Sequence, residues 1–114
     1  MTLHQIFCVF IDKLTGKNVS WYKRGYEAVK NDHPEVGTHL EVVKGAVENP
    51  SFVKQDADRA KRNAYYAPYS GGREYPNHHM KVIVAEDFLG RLRVITAYFV
   101  DHFKEGESLV WSKN

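Results

Sequence analysis

After His4 and Gln5 the chain runs Ile6-Phe7-Cys8-Val9-Phe10-Ile11 without a polar side chain. An apolar run of this length, rich in β-branched and aromatic residues, predicts a buried strand within Leu3–Ile11. Asp12-Lys13-Leu14-Thr15-Gly16-Lys17-Asn18 supplies turn residues, and Val19-Ser20-Trp21-Tyr22 predicts a short return strand, hence a hairpin. Tyr22, Tyr26 and Val29 then recur at helical spacing. Pro34 disfavours helical geometry at His33, so this helix is expected to end near Asn31 or Asp32. Thr38-His39-Leu40-Glu41 has the form of a capping box, with Thr38 as N-cap and Glu41 reaching back to it. Leu40, Val43, Ala46 and Val47 make the apolar stripe of this second helix, which Asn49-Pro50 ends.

Phe52 and Val53 open a short strand, and the polar run 54–63 reads as a loop or a short helical turn. From Ala64 onward the pattern is β. Tyr65-Tyr66-Ala67 leads into a turn at Ser70-Gly71-Gly72, and Lys81-Val82-Ile83-Val84-Ala85 predicts a buried strand. Phe88-Leu89-Gly90 predicts the loop before a long strand over Leu92–Val100, with Ser108–Trp111 as the last strand. A hairpin and helices followed by an antiparallel meander is the α+β class.

At 114 residues and 13.2 kDa the chain suffices for one domain with one core. The start lacks a positive segment followed by an apolar stretch and a cleavage site, which argues against a secretory signal. A lone cysteine, Cys8, has no internal disulfide partner and reads as a core residue in a reducing compartment. These features point to a cytoplasmic location and away from a membrane. The net charge of +2 does not by itself identify a nucleic-acid partner. The basic residues Arg59, Lys61, Arg62, Arg73 and Lys81 nevertheless follow one another with Glu74 as the only acid among them. A local patch of this kind is either a phosphate-binding surface or a solvated loop.

An imidazole, a hydroxyl, a phenol and nearby basic side chains together suit a phosphodiester handled without a metal. For RNA, the substrate that the resemblance given below implies, cleavage needs a base for the 2′-hydroxyl, an acid for the leaving 5′-oxygen and cations for the developing charge. His33 has the right intrinsic pKa for the acid or base; alternatively it only caps the end of the helix before Pro34. Thr96 and Tyr98 are two apart on a strand and so share a face, with Ile95, Ala97 and Phe99 on the other. Thr96 is a candidate to bond a phosphate oxygen, and Tyr98 to stack on a base or donate a proton. Both residues also suit an ordinary half-buried strand. Tyr66 is either a stacking platform or a core aromatic. Lys81, Arg59, Arg62 and Arg73 are candidate phosphate ligands. His78-His79 is not a metal pair, because adjacent strand residues point to opposite faces, and Gly71-Gly72 lacks the context of a phosphate loop.

Asp32-His33-Pro34-Glu35, the helix ending in Glu48-Asn49-Pro50, Tyr65-Tyr66, Lys81–Ala85, Val94-Ile95-Thr96-Ala97-Tyr98 and Glu107–Trp111 occur in an order that resembles phage-borne RNase-like domains. These belong to the barnase–EndoU–colicin–RelE class, and the resemblance covers roughly residues 22–112. It implies helices packed on an antiparallel sheet of about four strands. It also implies cleavage of RNA through the substrate's own 2′-hydroxyl, with no cofactor and with His33 as the family's histidine. The N-terminal apolar hairpin and an insertion over 68–77 depart from the simplest family pattern.

The leading expectation is therefore a metal-independent ribonuclease domain of toxin or phage-effector type. In it His33, Thr96 and Tyr98 are catalytic, and Arg59, Tyr66, Arg73 and Lys81 bind RNA. A neutralising protein partner would accompany a toxin role. The alternative is a non-catalytic module on the same fold that binds nucleic acid or protein. A third expectation is self-association through the N-terminal strand, an edge able to pair with a second copy.

Overall fold

The computed structural model describes residues 5–71 and 75–114. Strands β1 (Ile6–Ile11) and β2 (Asn18–Tyr22) form the expected antiparallel hairpin. Helix α1 (Lys23–Asp32) follows directly and stops with His33 as its C-cap, one residue before Pro34, as proline geometry requires. A short 3-10 helix (Pro34–Thr38) links it to α2 (Leu40–Glu48). Strands β3 (Phe52–Gln55), β4 (Arg62–Gly71), β5 (Tyr75–Glu86), β6 (Leu92–Val100) and β7 (Ser108–Ser112) complete the chain.

The class is α+β, but the sheet differs from the four antiparallel strands that the resemblance implies. Seven strands form one sheet in the order β1-β2-β6-β5-β4-β3-β7. It is mixed, because β2 runs parallel to β6 where Val19 and Ser20 lie opposite Leu92 and Arg93. This long-range pairing joins the N-terminal hairpin to the meander. The supposed insertion over 68–77 is largely an extension of the β4–β5 ladder, with Pro68 opposite His79 and Tyr69 opposite His78. Proline is tolerated there because β3 has already ended opposite Tyr66. The Pro68 nitrogen faces that vacated side, as the Tyr66 carbonyl two residues earlier faces Ser51.

The capping box does not form. Thr38 ends the 3-10 helix and its hydroxyl donates to the Glu35 carbonyl, while His39 takes the N-cap position of α2 without a side-chain cap. The His39 ring packs edge-on against Tyr69 and Phe99. Tertiary packing of His39 thus sets the helix start in place of the local cap.

Side-chain alternation divides the sheet into two faces. Val53, Tyr65, Val82 and Ala97 lie opposite one another across four strands and are buried with Val36, Val43, Ala46 and Val47. That face carries the core. The next row, Phe52, Tyr66, Lys81 and Tyr98, points to the opposite, outer face. A bulge at Ile95 shifts the β5–β6 register, so Val94 and Ala97 are both buried and Ile95 is only half-buried. The expected grouping of Ile95 with Ala97 and Phe99 fails for this reason.

Two features qualify other expectations. Cys8 is half-buried against the core, and burial pushes its thiol pKa up. At the β1 edge Ile6, Phe7, Val9 and Ile11 are exposed, but the Ile11 N–H donates to Glu48 Oε2 at 2.9 Å. A carboxylate at an edge position opposes strand addition there. Among the described residues, no helix is long and apolar enough to cross a membrane.

Candidate active site

The outer face is covered by the segment between β6 and β7. Phe103 from this segment packs edge-on against Phe52 and Tyr66 and contacts His79. Glu107 reaches beneath it to the middle of the Phe52–Tyr66–Lys81–Tyr98 row. The Tyr66 hydroxyl donates to Glu107 Oε1 at 2.5 Å, and Lys81 Nζ lies 2.9 Å from Glu107 Oε2. The Lys81 and Glu107 side chains are 4% and 1% exposed. The ammonium also faces the rings of Tyr66 and Tyr98 at 5.6 and 5.9 Å from their centroids. A buried cation is tolerable in this setting because a carboxylate and two π faces replace its water. Burial first, and the Glu107 carboxylate second, push the Tyr66 phenol pKa upward.

These contacts revise two of the expected RNA ligands. Tyr66 is fully buried, so as folded it is a core aromatic and offers no face to a base. Lys81 is neutralised by Glu107, so it is not a free cation for a phosphate.

Tyr98 connects this buried unit to the surface. Its ring stacks on His33, with centroids 5.1 Å apart and planes inclined by 22°. The two segments are remote in sequence and meet because α1 contacts β6. His33 Nδ1 lies 3.8 Å from Glu35 Oε1, and the imidazole is 37% exposed. Tyr98 lines a cleft of about 470 Å³ together with Lys81, His78, Asp101, His102 and Lys104. His78 Nδ1 donates to the Pro76 carbonyl and His102 Nδ1 to the Asp101 carboxylate, at 2.9 and 2.7 Å. Each contact leaves Nε2 of a neutral ring free as a proton acceptor. The bond from His102 holds the Asp101 carboxyl below the usual range. Lys104 ion-pairs with Asp58 at the cleft rim.

Thr96 is on the same face as Tyr98 but two residues along, opposite Ile83, and lies outside the cleft lining. Its neighbours in the row are half-buried Ile83 and buried Ala64, so ordinary strand packing accounts for its place. Arg59 lies exposed in the β3–β4 connection and does not line the cleft, although its neighbour Asp58 pairs with Lys104 at the rim. Arg73 falls outside the described residues. Among the described residues no group of three His, Cys, Asp or Glu side chains is placed to hold a metal ion.

Sequence reading missed Glu107, His102 and Lys104. His102 stood apart from every other histidine in the chain, although the Asp101-His102 doublet was a local signal for an oriented imidazole. Glu107 stood only at the head of Glu107–Trp111 with no role, since its partners Tyr66 and Lys81 lie 41 and 26 residues away and only the tertiary fold brings them to it. Comparison with protein-family models, curated protein sequences and solved structures finds no match to this chain.

Proposed function

We propose that the chain is an RNA-cleaving domain that uses acid–base chemistry on the substrate's own 2′-hydroxyl. The observation that carries this reading is the stacking of His33 on Tyr98, a wall of a cleft that also contains His78, His102 and two lysines. One imidazole would take the 2′-hydroxyl proton as the 2′-oxygen attacks phosphorus. A protonated partner would return a proton to the 5′-oxygen as the P–O5′ bond breaks, leaving a 2′,3′-cyclic phosphate. His33 fills one of these roles, and the free Nε2 of His78 or His102 suits the other. Lys104, paired with the exposed Asp58 at the rim, would supply positive charge by exchanging that carboxylate for the phosphate, and the Tyr98 ring holds the His33 imidazole in place. The resemblance to the barnase–EndoU–colicin–RelE class supports the same reading.

Incubation of the pure chain with single-stranded RNA in EDTA tests the proposal. Cleavage that ends in cyclic phosphate and is lost in His33→Ala is the expected result. Intact RNA with the wild-type chain, or equal cleavage by His33→Ala, refutes it. A second reading, a binding module without chemistry, draws on the burial of Lys81 against Glu107, which removes one cation from the cleft. It predicts RNA binding that survives His33→Ala and weakens as salt rises.

A further inference from the structure

We propose that Lys81 and Tyr66 form a phosphate-oxygen subsite at the base of the cleft, and that Glu107 fills it with the chain's own carboxylate. The inference rests on the RNA-cleaving reading for the identity of the incoming phosphate. The subsite itself rests on geometry. A phenol hydroxyl and an ammonium converge on the two oxygens of one carboxylate, at 2.5 and 2.9 Å. Two oxygens of a phosphodiester present the same pattern of charge and acceptors to the same donors. The cleft reaches Lys81, so the ammonium is adjacent to the space a substrate would enter.

Glu107 is also held in a way that permits exchange. Its Oε2 is buried and is met by the Lys81 ammonium as an ion pair rather than by a hydrogen-bond donor, so this oxygen is incompletely satisfied. Residues 101–106 and 108–110 around it are exposed, and apart from Phe103, which packs on Phe52 and Tyr66 from the surface, Glu107 is the segment's inward contact. Gly106, immediately before it, has φ +86°, and a Cβ there would meet Ala57 at 3.1 Å. Leu109 and Val110, just beyond it in edge strand β7, are exposed and add little apolar burial. An arriving phosphate would keep Lys81 and Tyr66 paired while the carboxylate returned to water. Only the exchange of one anion for another is required, and no buried charge is left alone.

Titration of the full chain with inorganic phosphate, followed by amide and side-chain resonances, tests this. Glu107→Gln keeps the shape and an acceptor for Tyr66 but removes the competing charge. It is expected to bind phosphate about tenfold more tightly than the wild type, with shifts at Lys81 and Tyr66. Adding Lys81→Met is expected to abolish the gain. Equal affinity in wild type and Glu107→Gln, or a gain that persists with Lys81→Met, overturns the proposal. If circular dichroism shows Glu107→Gln unfolded, Gly106→Ala decides. It strains the turn while keeping the carboxylate, and a several-fold gain supports the proposal whereas no gain overturns it. The titration contains no RNA. A phosphate gain in a chain that leaves RNA intact therefore separates the subsite from the RNA-cleaving reading.

Discussion

The imidazole of His33 lies on the phenol ring of Tyr98, 5.1 Å between centroids, although 64 residues of chain separate them in numbering. The stack fixes the plane of the imidazole and leaves its edge, where both nitrogens lie, open to solvent and to Glu35. Behind Tyr98 stands the Lys81 ammonium, and behind that Glu107. A surface histidine is thereby tied, through one ring, to a buried ion pair.

Tyr98 variants separate stacking from proton donation. If the ring acts by orienting His33, Tyr98→Phe retains RNA cleavage within a few-fold, whereas Tyr98→Ala approaches the loss seen in His33→Ala. General acid–base groups contribute about 10²–10⁴-fold, so that is the size of the loss expected in kcat. A Tyr98→Phe variant as inactive as Tyr98→Ala would assign the hydroxyl a direct role instead.

Removing one member of the buried pair is costly. Lys81→Met leaves Glu107 without its counter-charge, and such breakage costs about 3–5 kcal/mol. Replacing Lys81, Glu107 and the Tyr66 hydroxyl together, as Lys81→Met, Glu107→Leu and Tyr66→Phe, is expected to restore most of that loss. Denaturant unfolding measures both. A Lys81→Met chain as stable as the wild type contradicts the burial described here.

His79 gives a pH dependence of defined sign. Burial among Phe52, Tyr66 and Phe103 lowers its pKa below the ordinary 6.5. The unfolded chain therefore takes up a proton more readily than the folded one. This contribution to stability is complete above about pH 6.5 and is lost as pH falls through the lower folded value. His79→Phe should flatten unfolding free energy over that acidic window, and an unchanged slope would remove His79 as its cause.

At the other end of the core, the Tyr65 hydroxyl donates to buried Asp12, which also accepts from the Thr15 N–H and hydroxyl. This closes the β1–β2 turn onto β4. Tyr65→Phe removes one donor from a buried carboxylate and is expected to cost about 1–3 kcal/mol. Burial first, then Asp12, raises the Tyr65 phenol pKa, as burial and Glu107 raise that of Tyr66. Raised values mean that stability is full below about pH 10, the ordinary tyrosine value, and is lost as pH rises. Tyrosinate absorbance from these two residues should therefore appear together with alkaline unfolding, and its appearance in the folded chain would contradict their burial.

Much of the local structure was legible in the residues. Leu92–Val100 is a strand over the bounds its apolar pattern predicts, and Pro34 ends α1 where expected. Thr96 and Tyr98 share a face because residues two apart on a strand do so, despite the bulge just before them at Ile95. The capping box misled because a local hydrogen bond of about 1 kcal/mol competes with the packing of a half-buried ring, here His39 against Tyr69 and Phe99. The site was legible only as single residues. His33 and Tyr98 were named, whereas the partner that neutralises Lys81 was not.

By itself the sequence determined that the class is α+β, where the helices and the strand Leu92–Val100 run, and that Thr96 and Tyr98 share a face, since periodicity and proline geometry act over a few residues. The extent of the β4–β5 ladder and the exposure of β1 it did not. Only the tertiary structure decided that β2 lies parallel to β6, that His33 rests on Tyr98, and that Glu107 closes over Lys81 and Tyr66. Those contacts span tens of residues, and they form because burying the outer-face row requires a cover and a counter-charge that no nearby residue provides.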